Sequence, residues 1–276
     1  MTSDKPGALP DDMAEKTARL APSYGEQVLA IADVEIRKLL RDPTEVFSRS
    51  VQPMLWLLVF GQVFSKLRDI PTGGLSYLAY MAPGILAQSV LFSAIFFGIS
   101  VIWEKDMGIV HKLLVSPAPR SALVLGKAFS SGARGLVQAV IVYLIAFLLH
   151  IELNLSIPHV LGVLLAVILG SAIFSTFSLI IACLVKSRER FMGIGQVLTM
   201  PLFFASNAIY PIALMPDWLK LVAWVNPLTY LVDAMRTLMI QGAQSVEGLV
   251  VDFSVMTLIF VAFVAIATKL YPDLVR

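Results

Sequence analysis

Residues 70–103 read IPTGGLSYLAYMAPGILAQSVLFSAIFFGISVIW, 34 residues without one Asp, Glu, Lys or Arg. A bilayer core of about 30 Å takes about 20 helical residues, so this stretch can cross a membrane with length to spare. Leu153–Val185 (33 residues) and Phe191–Pro216 (26) have the same character. Ser50–Ser65 (16), Gly135–Ile151 (17) and Phe253–Thr268 (16) are shorter charge-free runs. Each of these becomes a span once flanking Lys or Arg side chains snorkel to the interface. The pattern predicts an all-α polytopic membrane protein with six transmembrane helices, near 51–67, 78–103, 128–150, 159–185, 191–209 and 250–270. Composition points the same way. Of 276 residues, 58% are hydrophobic and 14% charged, with a mean hydropathy of +0.81, against about 25% charged in a soluble domain. A globule of this size cannot hide that much apolar surface, which excludes a soluble enzyme, a disordered chain and a nucleic-acid-binding domain. The net charge is only +2. The single cysteine, Cys183, excludes an intrachain disulfide framework and a Cys-rich metal site.

Basic residues in the connections set the orientation. Sixteen Lys and Arg fall in the N-terminal segment, the 104–127 and 186–190 loops and the C-terminal end; four fall in the alternate loops (Lys66, Arg68, Lys220, Arg236). Both termini are therefore expected in the cytoplasm. Residues 1–25 form a polar tail with no apolar h-region, unlike a cleavable signal peptide. Over 28–42, Val28, Ala32, Ile36, Leu39 and Leu40 share one helical face, with Glu35, Arg37, Lys38 and Arg41 around the rest. This basic amphipathic helix, ending at Pro43, suits the headgroup surface; a helix docked on a partner protein is the alternative.

Three places need more than hydropathy. In the loop 104–116, Ile109, Leu113 and Leu114 make a helical apolar stripe beside Glu104, Lys105, Asp106 and Lys112, stopped by Pro117 and Pro119. Such a helix could pass force from a cytoplasmic partner, or be an ordinary solvated loop helix. The segment 210–242 is apolar but cut by Pro211, Pro216 and Pro227. It predicts two short helices, 216–225 and 227–241, that dip in and return, with a seventh span as the competing reading. Asp233 and Arg236, three apart, could pair there. In the fourth span Gly162, Ala166, Gly170, Ser178 and Ala182 recur every four residues, broken by Phe174, a row that lets another helix approach closely.

Catalytic constellations are missing. His111, His150 and His159 are scattered, no HExxH or GxSxG occurs, and Gly126-Lys127-Ala128 is only a fragment of a phosphate loop. The chain is thus expected to hydrolyse no ATP itself and to hold no metal. Away from the span ends no Asp or Glu lies inside a predicted span (Asp252 stands at the start of the last one), and Arg134 is the one charge there.

The run Asn226-Pro-Leu-Thr-Tyr-Leu-Val-Asp-Ala-Met-Arg236 resembles the segment before the last span of ABC type-2 exporter permeases. Trp103-Glu-Lys-Asp-Met-Gly-Ile-Val-His-Lys-Leu-Leu-Val-Ser-Pro117 resembles their coupling-helix segment, with Glu104, Gly108, Leu113, Leu114 and Pro117 matching and Trp103 standing where a basic residue is common. The resemblance covers about residues 25–272 and is nearest to daunorubicin-resistance-like permeases. It implies a half-transporter that forms a homodimer or heterodimer with a related permease and docks two copies of a separate ABC ATP-binding subunit, which holds ATP and Mg. It assigns Glu104, Lys105, Gly108, Leu113, Leu114 and Pro117 to coupling, and Asn226, Pro227, Tyr230, Asp233 and Arg236 to the outer motif. The implied setting is the plasma membrane of a prokaryote.

For the substrate, Gln88, Phe92 and Phe96 on the second span and Met200, Phe203, Phe204 and Asn207 on the fifth suggest an amphiphilic path, or simple core packing. A lipophilic drug, polyketide or lipid-linked molecule fits; polysaccharide or glycolipid export is the alternative within the class. Outside it stand a non-transporting membrane scaffold, then a secondary carrier, which should show a mid-membrane carboxylate, then an integral-membrane enzyme.

Overall fold

The computed structural model describes residues 23–41, 51–64, 72–115, 118–185 and 187–274. The expected turn-offs at Pro43 and Pro117, the side chains of Leu39 and Leu40, and the tail 1–22 lie outside them. The described chain is helical throughout, apart from one isolated bridge between Leu153 and Ile240. In chain order the helices are α1 (Tyr24–Arg41), α2 (Val51–Phe64), α3 (Tyr77–Asp106), α4 (Ile109–Val115), α5 (Arg120–Leu148), α6 (Ile157–Leu184), α7 (Arg188–Phe204), α8 (Asp217–Val225), α9 (Pro227–Met239) and α10 (Leu249–Leu270). A 3-10 turn, Tyr271–Leu274, follows α10.

Among the described residues four helices, α3, α5, α6 and α10, are long and apolar enough to cross a membrane. α2 is shorter and carries a π-helical stretch at Trp56–Gly61. α7 stops at Phe204, five residues before the expected 209, because the chain turns over Ala205–Ala208. That turn lies on α3 so closely that a Cβ at Gly84 would run into the Ala208 backbone.

Two boundaries move outward for a physical reason. α5 begins at Arg120 rather than 128, and α3 runs on through Glu104 to Asp106. Hydropathy ends a span at a charge, but here the charges are neutralised inside the bundle, so the helices continue.

The core is a packed centre of α3 and α6, covered by α5, α9 and α10. The small-residue row of α6 faces two neighbours. Near its start, a Cβ on Gly162 would touch the Leu238 methyls at 3.0 Å, and one on Gly170 would come within 2.6 Å of Leu231. Near its end, Ser178 accepts from Gly98 N–H of α3 at 3.0 Å and donates to the Ile95 carbonyl. The row therefore seats α9 and α3, as close-approach packing predicts. The bundle has two polar ends: one where α1 and α4 sit, here the α1 end, and one where α8 and α9 sit, the α9 end.

Candidate functional site

The α1 end is built by a short-range cap and a long-range charge cluster. Ser23 N–H donates to Glu26 Oε2 at 2.7 Å and Glu26 N–H to Ser23 Oγ at 3.4 Å, the reciprocal box that starts a helix. The Ser23 backbone N–H, then its hydroxyl, holds the Glu26 carboxyl below its ordinary value. α1 then lies along α5, where Gly126 leaves room for Ile31: a Cβ there would sit 2.6 Å from Ile31 Cβ and 3.0 Å from the Val28 carbonyl. Gly126-Lys127 is a docking groove for α1.

Beyond Gly126 four charges meet. Lys127 Nζ donates to Glu104 Oε2 at 2.5 Å and lies 3.5 Å from Glu35 Oε1; Lys38 Nζ reaches Glu104 Oε1 at 2.8 Å and Glu35 Oε1 at 3.0 Å. Glu35, Glu104 and Lys127 are 4%, 4% and 2% exposed. Two carboxylates alternate with two ammonium groups, so the cluster is neutral. Each charge is tolerable only while the others stay in place. Burial acts to lower the Lys38 ammonium, but the Glu104 hydrogen bond and both carboxylate charges outweigh it and hold the group above its ordinary value. Tyr271, fully buried in the turn after α10, closes the cluster on the side of α6; burial and the nearby Glu104 charge push its hydroxyl up. Three sequence-distant helices and the chain's last turn thus converge on Glu104.

Helical spacing puts Glu35 on the polar face of α1 and leaves Glu104 either on a force-passing helix or on a solvated one, and Lys127 stands in a fragment of a phosphate loop. All three are buried. The one available signal is that Glu104 and Lys127 border the charge-free runs of α3 and α5, where unpaired burial is costly.

From Glu104 the chain turns a tight elbow. Gly108 has φ +72° with open space around it, and its N–H donates to the Lys105 carbonyl at 2.9 Å, the left-handed ending that favours glycine. α4 follows, with Val110 buried, Leu113 and Leu114 half-buried, and Met107, Ile109 and Val115 exposed; Val115 is 87% exposed. Lys105 is half-buried on the last turn of α3. The elbow is tied to α7 by Arg188, which stacks 3.8 Å above the Trp103 ring and bonds Asp106 Oδ2 at 2.9 and 2.5 Å. Trp103, where a basic residue was expected, is the platform for that arginine. Leu29 and Val34 of α1 extend the same exposed apolar surface. Between α1 and α4 lies a cleft of about 250 Å³ walled by Ile31, Val34, Leu113 and the charge cluster.

At the α9 end Asn226, Pro227, Tyr230, Asp233 and Arg236 each make a structural link. Asn226 Oδ1 accepts from Leu228 N–H at 3.0 Å while its Nδ2 donates to the Leu202 and Ala205 carbonyls at 2.7 and 2.9 Å. It starts α9 and finishes α7 at once. Pro227 occupies the first turn, where its missing N–H costs nothing. Tyr230 Oη donates to the Trp224 carbonyl at 2.7 Å. The expected Asp233–Arg236 pair does not form. Arg236 donates to the Tyr80 carbonyl (3.2 Å) and the Asn207 carbonyl (2.6 Å) and lies 3.7 Å over the Tyr80 ring. Asp233 Oδ2 instead accepts from Ser245 Oγ and Val246 N–H, both at 2.8 Å. One turn of helix put the two side chains on one face, but each found nearer fixed partners on other segments.

The seven path residues do not gather around one space. Gln88 is buried on α3; Phe92 and Phe96 are half-buried, with ring centres 6.2 Å apart. Phe203 is buried against Trp56, Phe204 is partly exposed and Met200 half-buried. A cavity of about 550 Å³ at the α9 end includes Asn207 in its wall and none of the other six.

A polytopic helical bundle with a charge-locked joint at one end and a short apolar helix projecting from it has the build of a membrane transport permease. The family profile described as ABC-2 type transporter matches residues 26–240, and the chain belongs to that family. A protein of Cyanophora paradoxa named as the transport permease ycf38 is 30% identical over 73% of this chain and 70% of its own length. The Escherichia coli K12 protein named "Inner membrane transport permease YadH" is 25% identical over 86% of this chain and 91% of its own. YbhR of the same strain, named "Probable multidrug ABC transporter permease", is 27% identical over 61% of this chain and 46% of its own.

Proposed function

We propose that this chain is the transmembrane subunit of an ATP-driven exporter that moves a lipophilic or amphiphilic molecule across a prokaryotic plasma membrane. It acts as a dimer with itself or a related permease and works with two copies of a separate ATP-binding subunit, which holds ATP and Mg. α2, α3, α5, α6, α7 and α10 are the six spans, with α8 and α9 a pair that enters and returns from the outer side. Lys and Arg gathered at the α1 end (Arg37, Lys38, Arg41, Lys105, Lys112, Arg188 among them) support a cytoplasmic position for that end. The name of YbhR favours a drug-like cargo.

The observation that carries this reading is the joint at Glu104. α4 presents exposed Ile109 and Val115, with Met107 exposed in the elbow before it, and its root is bonded to α1, α5 and α7 at once. A push on α4 from a cytoplasmic subunit would reach three other helices through these ion pairs. Gly108→Pro, which removes the left-handed elbow, and Glu104→Gln, which unbalances the cluster, should both leave membrane insertion intact. In proteoliposomes holding the copurified complex they should keep ATP hydrolysis but lose ATP-driven efflux of a lipophilic fluorescent dye. Unchanged efflux in both variants would defeat the coupling role.

A further inference from the structure

Three buried oxygens without a hydrogen-bond partner wall a single small cavity at the α9 end: Asn207 Oδ1, Thr229 Oγ1 and Asp252 Oδ1. Their residues are 2%, 4% and 1% exposed. Asp233, Tyr230 and the rim residue Glu247 complete the wall. The centre of a water-sized sphere has about 10 Å³ there, room for one small occupant.

Two carboxylates at the cavity share one hydroxyl donor. Ser245 Oγ lies 2.8 Å from Asp233 Oδ2 and 3.1 Å from Asp252 Oδ2, yet a hydroxyl has one proton to give. Asp233 keeps the Val246 N–H, which leaves Asp252 dependent on the shared hydroxyl. Charge is also short. Arg236 is the one cation among the buried groups here, against two carboxylates, and its donors go to the Tyr80 and Asn207 carbonyls. The exposed Glu247 adds further negative charge, and the Tyr80 ring adds none.

We propose that this cavity binds one small monovalent metal cation, of which sodium is the type, through Asp252 Oδ1, Asn207 Oδ1 and Thr229 Oγ1. An all-oxygen set suits a hard cation, and one positive charge balances the buried surplus. A proton on Asp252 would balance the charge too, but would bring a single donor to the cavity where a cation meets all three oxygens at once. The cation would tie three segments together: the turn after α7 (Asn207), α9 (Thr229) and the first turn of α10 (Asp252). This site is independent of the coupling role proposed above.

The test uses the full chain in detergent at pH 8 and constant ionic strength, exchanging choline chloride for sodium chloride and reading the thermal unfolding midpoint. Sodium should raise the midpoint saturably. Asp252→Asn, which can still bond Ser245, should fold and lose the response. Thr229→Val, which takes one oxygen and no charge, should raise the half-saturating concentration about tenfold with its choline midpoint near that of the native chain. A midpoint indifferent to sodium but rising as pH falls in choline would overturn the proposal in favour of a proton. A sodium response that survives in both variants would overturn it as well.

Discussion

The two ends of the bundle hold buried charge in opposite ways. At the α1 end, charge answers charge: among the described residues Glu35 and Glu104 are paired with Lys38 and Lys127. At the α9 end, Arg236 is held by two backbone carbonyls and a ring, and Asp233 by a hydroxyl and a backbone N–H. Backbone groups cannot leave, so the α9 end is a fixed anchor. Ion pairs can exchange partners as helices shift, so the α1 end is the part of the molecule built to move. That division suits a transporter driven from one side.

The largest effect should come from breaking the ion cluster. Lys127→Met leaves Glu104 and Glu35 buried with half their compensation and should cost about 3–5 kcal/mol, read as a fall in unfolding midpoint. The pair Lys127→Met with Glu104→Gln should recover much of that loss, which a rigid packing role for Lys127 would not allow. At the anchor, Arg236→Lys loses the fork and the ring contact and should cost about 2–3 kcal/mol. Asp233→Asn keeps an acceptor oxygen for Ser245 and Val246, so its cost should stay near 1 kcal/mol. Equal losses for Asp233→Asn and Lys127→Met would erase the contrast between the two ends. Asn226→Ala removes a cap and two carbonyl partners, for about 1–3 kcal/mol.

Gly108→Ala should be milder, at about 1–2 kcal/mol for a left-handed alanine, and should act on coupled efflux more than on stability. The smallest effect is a pH dependence. Against burial, the Glu104 and Glu35 carboxylates hold the Lys38 ammonium above its ordinary value, so its contribution is complete below the ordinary lysine range and fades as pH climbs through the higher folded value. Limited proteolysis at Arg41 should therefore quicken at strongly alkaline pH in the native chain, and show no such step in Lys38→Met.

Much of this was legible in the residues. The charge-free run 70–103 announced α3, and the four-residue row of α6 announced a close neighbour. Pro227 announced its helix start through backbone chemistry, whereas Gly108 stood only as a family match inside 104–116, and the elbow there is seen in the structure. The charges were harder to read. Glu35 looked like part of a solvated face because helical spacing reports which residues share a face, not what covers it. Lys127 and Glu104 are 23 residues apart, and nothing local joins them. Asp233 and Arg236 fell the other way: the local rule that pairs residues three apart lost to fixed carbonyls at Tyr80 and Asn207, 156 and 29 residues distant.

The central claim is that the α1 end receives force from an ATP-binding subunit through α4. The chain's one cysteine, Cys183, is buried, so Val115→Cys can carry a photoreactive maleimide in membranes, with Val250→Cys on α10, 81% exposed, as the control. The account predicts that the label on position 115 captures a companion chain bearing a phosphate-binding loop, with a yield that changes when ATP is added, and that the label on position 250 does not. Equal capture at both positions, or none at 115 while such a companion copurifies, would contradict it.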